Sequence, residues 1–168
     1  MKTLSTLALL TAATAAQAYT LDINVGHSKL SGTYDDVNVI GLGVGSHLNN
    51  EFHLGLNVSR KSIYEALNVD AKATSATLDL TYSLSPVGGI RPFIGAGAGA
   101  VRFTGDSIFT KNALATKLFI GIAFPITQNA EFSVSAQSSK FHDVQELQNG
   151  PKATVSSVDG IAALRFNF

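Results

Sequence analysis

Hydrophobic and polar side chains alternate with a period of two along most of this chain, from Tyr19 to Phe168. Because successive side chains of a β-strand point to opposite faces, this period predicts strands with one apolar and one polar face. Turn residues divide the pattern into eight segments, which cover residues 19–28, 37–48, 52–60, 73–84, 91–103, 114–124, 130–141 and 158–168. Three short turns and four longer polar segments connect them. This count predicts antiparallel strands in up-and-down order, with both ends on one side.

The last segment, residues 158–168, shows the pattern most clearly. One face carries Leu164, Phe166 and Phe168, whereas the other carries Asp159 and Arg165. A long strand with an uncovered apolar face would promote aggregation in water. The segment therefore indicates one strand of a closed barrel whose outside faces lipid.

The first 18 residues have a different pattern. Lys2 precedes an apolar run rich in Leu and Ala, which ends in Ala16-Gln17-Ala18. A charged start, a short apolar core and an A-x-A site are typical of a secretory signal peptide. We predict cleavage before Tyr19, so that residues 1–18 are removed and residues 19–168 form one barrel domain. The alternative is an N-terminal helix of the fold, but the segment lacks a helix cap.

Charge and cysteine content exclude several classes of function. Charged residues make up 14% of the chain, below the ~25% usual in soluble domains. The 12 basic and 12 acidic residues balance, so no overall field attracts nucleic acid. The absence of Cys excludes disulfides, thiolate catalysis and Cys-ligated zinc. No two histidines have a spacing typical of metal ligands, and no motif predicts a cofactor.

Alternation alone does not distinguish a lipid-embedded barrel from a soluble lipocalin-like barrel, whose apolar face points inward. The positions of charges do, because a Lys or Arg facing lipid costs roughly 2–4 kcal/mol at the midplane and about 0–1 near the interface. Mid-strand charges all share the polar face, and cations on the apolar face occur only beside the longer segments. Aromatic residues of the apolar face lie beside the short turns or chain ends and predict one interfacial girdle: Tyr19, Phe52, Tyr82, Phe124, Phe132, Phe166 and Phe168.

Three short segments of the sequence are typical of a known family: Arg91-Pro92-Phe93-Ile94-Gly95-Ala96-Gly97, Gly121-Ile122-Ala123-Phe124-Pro125 and Leu164-Arg165-Phe166-Asn167-Phe168. With the signal peptide and the alternating segments, they make the chain resemble the small outer-membrane barrels typified by the transmembrane domain of outer membrane protein A and the opacity proteins. The resemblance implies an all-β, eight-stranded antiparallel up-and-down transmembrane β-barrel in the outer membrane of a Gram-negative bacterium. It also implies that Phe166 and Phe168 are similar to the signal read by the barrel-insertion machinery.

The polar face of the predicted barrel carries an interior charge network. An eight-stranded barrel is just wide enough inside for side chains to fill, and buried charges need partners. The predicted strand order brings His53 close to Asp79, and closure of the barrel brings Asp22 close to Arg165. The complete network comprises Asp22, His53, Asp79, Lys117, Glu131, Asp159 and Arg165.

Lys117 has two candidate partners in this network, Glu131 and Asp159. We interpret the whole network as a structural, salt-bridged core that fills a polar interior. The alternative is a narrow solute pore whose gate is this network.

The histidines are the candidates for catalysis: His27, His47, His53 and His142. Some barrels of the family that the chain resembles modify lipid A, as acyltransferases or deacylases with a His and a Ser near the outer rim. His27 and His142 lie at this rim, but neither has the His-x-Ser arrangement of the deacylases. A catalytic base also needs a nucleophile within hydrogen-bond reach, and the sequence indicates none. We therefore predict a protein that is not an enzyme.

A basic rim occupies the predicted outer interface. Its cations would pair with lipopolysaccharide phosphates at that level, although interfacial snorkelling would place them similarly. The rim comprises Lys29, Arg60, Lys61, Arg102, Lys111, Lys140 and Lys152. We expect a monomer that acts in membrane integrity or in loop-mediated surface interaction and adhesion. Its expected partners are outer-membrane lipid, lipopolysaccharide, the insertion machinery and a surface or host ligand bound through the loops.

Overall fold

The computed structural model describes residues 19–30, 37–64, 70–105, 112–145 and 152–168. The predicted signal peptide, residues 1–18, lies outside the described residues. Among the described residues, no helix is long and apolar enough to cross a membrane. The described chain forms the strands β1 Tyr19–Leu30, β2 Val37–His47, β3 Phe52–Tyr64, β4 Asp70–Ser83, β5 Arg91–Gly105, β6 Asn112–Pro125, β7 Ala130–Gln145 and β8 Lys152–Asn167.

The strands close into a barrel, because each pairs with the next and β8 pairs with β1. Every pairing is antiparallel. The predicted eight-stranded antiparallel up-and-down barrel is therefore confirmed. We call the end that carries the short turns, Tyr19 and Phe168 the turn end. The opposite end, where the strands lead into residues 31–36, 65–69, 106–111 and 146–151, is the loop end.

The strands extend further toward the loop end than the sequence pattern predicted. β3 continues to Tyr64, β7 continues to Gln145, and β8 already begins at Lys152. Polar residues on the outward face, such as Lys72 and Thr74, interrupt the hydrophobic alternation there. Hydrogen bonding between neighbouring strands nevertheless continues, because strand pairing gives the backbone N–H and C=O groups partners within the protein.

A β-bulge explains why the alternation of β7 breaks after Phe141. The register of β7 against β8 shifts between Phe141 and Val144, and Asp143 has a φ of 59°. Asp tolerates this left-handed conformation better than most residues, and the extra residue re-aims the strand. Phe141 and Val144 are consequently both buried, with exposures of 3% and 0%, despite their odd spacing.

The two faces of the sheet have the predicted orientation. Apolar side chains of the outward face are exposed, for example Ile40 at 60%, Leu80 at 45% and Ile120 at 61%. In water such a continuous apolar surface would be unfavourable, whereas acyl chains solvate it. The prediction that the apolar face of the strands points outward is confirmed, as Leu80 and Ile120 show.

Aromatic rings occupy the outward face near the turn end. Phe52 and Tyr82 are register partners, and their ring centroids are 5.0 Å apart. Phe124 and Phe132 form a second cross-strand pair, with ring centroids 6.4 Å apart. The rings thus form a band where an interfacial girdle was predicted.

Inward glycines make room for the few large side chains of the lumen. A Cβ at Gly95 would overlap the ring of Phe119, and a Cβ at Gly121 would collide with the ring of Phe93. The two Phe rings meet edge to face, with centroids 6.3 Å apart. Glycine is therefore required at these positions by packing.

Candidate functional site

The lumen holds four ion pairs among the described residues. They contain four carboxylates and four cations, so their formal charges cancel. Such a balanced set provides no net charge that would attract one sign of ion. The pairs are Asp22–Arg165, Asp79–Lys117, Glu131–Arg91 and Asp159–Lys61.

Asp159 and Lys61 form the most buried pair, with exposures of 1% and 3%. The Lys61 ammonium lies 2.7 and 2.8 Å from the two Asp159 oxygens. It also donates hydrogen bonds to the hydroxyls of Ser157, at 2.9 Å, and Ser28, at 3.2 Å. Gln137 Nε2, at 2.8 Å, and the Ser28 hydroxyl donate to Asp159. Both charges are thus fully hydrogen-bonded, as burial requires.

The prediction that Lys61 belongs to the basic rim is therefore wrong. The predicted third strand ended at Arg60, which placed Lys61 in a loop. In the structure β3 continues, so that Lys61 points inward like Ser59 and His53 before it. Strand parity therefore sends adjacent cations to opposite sides, with Lys61 in the lumen and Arg60 on the outward face.

Asp22 and Arg165 join the two terminal strands, as predicted. They are direct register partners across β1 and β8. Arg165 Nε and Nη2 lie 2.7 and 3.0 Å from the two Asp22 oxygens. This bidentate geometry is the strong form of a carboxylate–guanidinium contact, and it lies at the seam that closes the barrel.

Lys117 pairs with neither predicted partner. Its ammonium lies 2.7 Å from Asp79 Oδ2. Asp79 and Lys117 are both register partners of Gly97 on the strand between them. Because Gly97 has no side chain, the two ions meet across it. Glu131, one of the predicted partners of Lys117, instead lies 3.4 Å from Arg91, a cation that the sequence reasoning left unassigned.

His53 also has a different partner from the one predicted. Its Nε2 lies 2.8 Å from the Thr20 hydroxyl, and its ring lies 5.0 Å from the ring of His47. Its direct register partner on β4 is Thr81, whereas Asp79 lies one inward position further along that strand. The pairing of His53 with Asp79 is therefore wrong, although both residues face the lumen.

An apolar cluster fills the lumen at the loop end. The rings of Phe103 and Phe141 meet edge to face within it, with centroids 6.0 Å apart. The Lys61 ammonium lies 5.6 Å from the Phe141 ring centroid, so the ion pair directly adjoins the cluster. The prediction of a wholly polar interior therefore needs correction. The cluster comprises Leu30, Val37, Ala73, Val101, Phe103, Ala115, Phe141, Val144 and Val155.

A cavity of about 110 Å³ lies within the polar part of the lumen. Charged residues from several strands line it, including Asp22, Asp79, Lys117 and Arg165. A polar cavity of this size can hold several water molecules.

Four of the seven cations that were predicted to form the basic rim lie at the predicted place. Lys29, Arg60, Arg102 and Lys140 are exposed on the outward face near the loop end. Lys72, which the sequence reasoning omitted, is exposed on the same face. The structure places Lys72 in β4, where strand parity directs it outward like Thr74. Lys111 lies outside the described residues, and for Lys152 the structure describes only the backbone, at the start of β8.

One histidine near the loop end has a hydroxyl within hydrogen-bond reach. His142 Nε2 lies 2.9 Å from Thr116 Oγ1, and both side chains are partly buried. Thr116 shares the outward parity of Leu118 and Ile120 on β6. The sequence reasoning missed this contact because the two residues lie on different strands, with no local motif between them.

The residues of the predicted insertion signal lie at the turn end. Phe168 is 74% exposed, and its backbone N–H donates to the Tyr19 carbonyl at 2.9 Å. Phe166 is the register partner of Leu21 on β1. Their recognition by insertion machinery stays a prediction.

Comparison with known proteins places this geometry in context. A family model described as an outer membrane protein beta-barrel domain matches residues 3–160. No curated protein matches the chain.

Solved structures include similar barrels. Neisserial surface protein A has a TM-score of 0.75 and 17% identity, over 90% of this chain and 99% of that one. Ail, the attachment invasion locus protein of Yersinia pestis, has a TM-score of 0.53 and 14% identity, and the match covers 91% of this chain and 99% of that one. The outer membrane enzyme PagL has a TM-score of 0.54 and 15% identity, and the match covers 86% of this chain and 97% of that one. At these identities the likeness shows the fold alone.

Proposed function

This chain belongs to the outer membrane protein β-barrel domain family and lies in the bacterial outer membrane, and from that premise we propose that it is a closed, non-enzymatic barrel. It contributes to the integrity of the membrane and presents its loop end for contacts at the cell surface. The observation that carries this proposal is the apolar cluster that fills the loop end of the lumen, beside the ion pairs.

A hydrated solute crossing the barrel would meet two obstacles. In the apolar cluster, Val101 and Val144 are 1% and 0% exposed, and close-packed apolar side chains leave little space for water. Beside this cluster, a solute would have to separate buried ion pairs, and a buried charge left without its partner costs about 3–5 kcal/mol. Both obstacles favour a lumen that stabilises the barrel over one that conducts.

Planar-bilayer conductance tests the closed state. The wild-type barrel should give no stable current steps, whereas Phe103→Ala/Phe141→Ala should open the loop end and produce them. Leu118→Ala/Ile120→Ala is the matched control, because it shortens two large side chains on the outward face and should leave the bilayer silent. Reproducible steps from the wild-type protein would contradict the proposal.

Surface contact is supported by the setting of the loop end. The longer polar segments lie there, and two similar structures are named as a surface protein and as an attachment invasion locus protein. Replacing residues 31–36, 65–69, 106–111 and 146–151 with Gly/Ser-rich segments of equal length should reduce attachment of expressing cells to host cells. Equal attachment, with equal surface display of the barrel, would leave only the integrity role.

A narrow pore is the alternative that the cavity of about 110 Å³ favours, since its lining is polar and charged. The same conductance experiment decides between the two functions, because a pore conducts without any change to Phe103 or Phe141.

A lipid A-modifying enzyme is the alternative that the Thr116–His142 contact favours. A hydroxyl beside a histidine is the minimum arrangement for acyl transfer. The mass of lipid A from expressing cells tests it. We expect no change on expression; a mass shift that Thr116→Val and His142→Gln each abolish would establish an enzyme.

A further inference from the structure

Three outward cations surround one threonine at the loop end. Arg60 on β3 and Arg102 on β5 are both register partners of Thr74 on β4. Lys72 lies one outward position further toward the loop end on β4. The side chains of Arg60, Lys72, Thr74 and Arg102 are all exposed. We call Arg60, Lys72 and Arg102 the cation triad.

Among the acidic residues whose side chains the structure describes, none forms an ion pair with the triad, and the four ion pairs given above lie in the lumen. This contrasts with the interior, where each cation of the ion pairs meets a carboxylate. Like charges on neighbouring strands repel each other and destabilise a sheet. An external anion would remove this repulsion.

The spacing of the triad suits a single phosphate group. Arg60 and Arg102 are two strands apart, roughly 10 Å at the backbone, and Lys72 is diagonal to each at about 7–8 Å. Long side chains at these positions can reach one another above the short Thr74, which separates them at the backbone. Two guanidinium groups can then bind the phosphate oxygens in bidentate fashion, while the ammonium adds a third charge.

The surface below the triad suits an acyl chain. Ala96, Ala98 and Ala100 follow Arg102 down the outward face of β5 and are exposed. Larger exposed side chains flank this strip, with Leu78 on β4 at 50% and Leu118 on β6 at 67%. A charged headgroup site at the top of an apolar strip matches an amphipathic lipid better than a free anion.

We propose that the cation triad binds a phosphate group of an outer-leaflet lipopolysaccharide, with one acyl chain lying along the alanine strip of β5. The site is discrete among the cations whose side chains the structure describes, because the remaining outward ones, Lys29 and Lys140, have no cation as register partner. Lys29 faces Val158 on β8, and Lys140 faces Thr116 and Ser156. The inference deepens the proposed integrity role and rests on it only for the membrane setting; it holds whether or not the lumen conducts.

The test compares two variants that each remove two exposed cations. Barrels purified in neutral detergent are titrated with lipopolysaccharide, and its binding is followed by native mass spectrometry and by thermal shift. Arg60→Gln/Arg102→Gln should weaken the apparent affinity by about tenfold or more, since each Arg supplies a charge-assisted hydrogen bond. Lys29→Gln/Lys140→Gln should weaken it by less than about twofold to threefold, as expected for isolated exposed charges.

The ligand is tested in the same assay. Phosphatase-treated lipopolysaccharide should bind the wild-type barrel about as weakly as intact lipopolysaccharide binds Arg60→Gln/Arg102→Gln. Inorganic phosphate alone should produce no thermal shift, because it cannot use the alanine strip. Equal losses in the two double variants, no effect of phosphatase, or an equal shift with inorganic phosphate would each overturn the proposal.

Heat-modifiable gel mobility shows whether each variant has folded. If Arg60→Gln/Arg102→Gln does not fold, Arg60→Lys/Arg102→Lys replaces it, since this variant keeps the charges and loses the bidentate geometry. It should still bind more weakly than Lys29→Gln/Lys140→Gln, and the reverse order would contradict the proposal. Conductance of the same proteins tests the closed lumen separately, so the two proposals can fail independently.

Discussion

At the scale of single residues, the side of the sheet on which a charge lies determines its role. Arg60 and Lys61 are neighbours in sequence, yet Arg60 is exposed on the outward face and Lys61 is 3% exposed in the lumen. Lys61 forms an ion pair with Asp159 in the interior, whereas Arg60 belongs to the cation triad. Although both residues are cations, we therefore expect substitution of Lys61 to change stability and substitution of Arg60 to change lipopolysaccharide binding.

Asp159→Asn should lower the free energy of unfolding by about 3–5 kcal/mol, because it leaves the buried Lys61 ammonium without its counter-charge. Urea unfolding of barrels in lipid vesicles, followed by gel mobility, measures this loss. The control is Glu51→Gln at an exposed turn position, which should change stability by less than about 0.5 kcal/mol. Equal stability of Asp159→Asn and the wild type would show that the ion pair is not structural.

At the scale of strands, the register determines which partners meet. Asp22 and Arg165 are far apart in sequence but directly opposite each other on β1 and β8. Asp79 and Lys117 are not on adjacent strands, and they meet because Gly97 separates them without a side chain. Pairing across the sheet therefore depends as much on the absence of a side chain as on the charges.

A double-mutant cycle of Asp22→Asn and Arg165→Gln measures the seam that closes the barrel. We expect a coupling free energy of about 0.5–3 kcal/mol, the range for residues in direct contact. Asp22→Asn combined with Lys140→Gln serves as the control, and its effects should add within about 0.3–0.5 kcal/mol. Additivity of Asp22→Asn and Arg165→Gln would mean that the observed contact does not stabilise closure.

Substitutions at adjacent residues of β5 test how strictly the lumen is packed. Gly99→Val should destabilise the barrel by about 1–3 kcal/mol or prevent its folding, because even a Cβ would overlap the backbone of Ala76 and Thr77. Ala98→Val places the same side chain on the outward face and should be tolerated. The fraction folded in detergent, read from gel mobility, should separate the variants; equal yields would contradict this packing.

At the scale of the whole molecule, the barrel has its ion pairs in the lumen and exposed apolar side chains on its outward face, the reverse of a water-soluble protein. This arrangement is stable only where lipid surrounds the outward face. The interior combines a neutral set of ion pairs with an apolar cluster at the loop end. Ion pairs connect strands across the lumen, while the cluster packs apolar side chains into its loop end.

Arginine placed at different depths of the outward face tests this inversion. Ile120→Arg should lower the stability of the barrel in vesicles by roughly 2–4 kcal/mol, whereas Asn38→Arg, at an exposed position near the loop end, should cost about 0–1 kcal/mol. Unfolding titrations of both variants in the same vesicles provide the comparison. If Ile120→Arg proved as stable as Asn38→Arg, the outward face would not be in contact with acyl chains.

The sequence by itself determined the architecture, because a period of two identifies both the strands and their apolar face. Short turns and longer segments then fixed the order of the strands, and membrane depth explained why outward cations such as Arg60 and Arg102 lie near one end. The alternation in the sequence also placed all seven members of the interior charge network on the inward face, because the face on which a side chain lies depends only on its position within its own strand.

Only the tertiary structure decided which of these residues meet. Register and strand length carried Lys61 into the lumen, directed Lys117 to Asp79 and assembled the cation triad from three strands. The tertiary structure likewise gathered apolar residues from separate strands into the cluster at the loop end. Contacts of this kind depend on distances between strands, which alternation within any one strand does not encode.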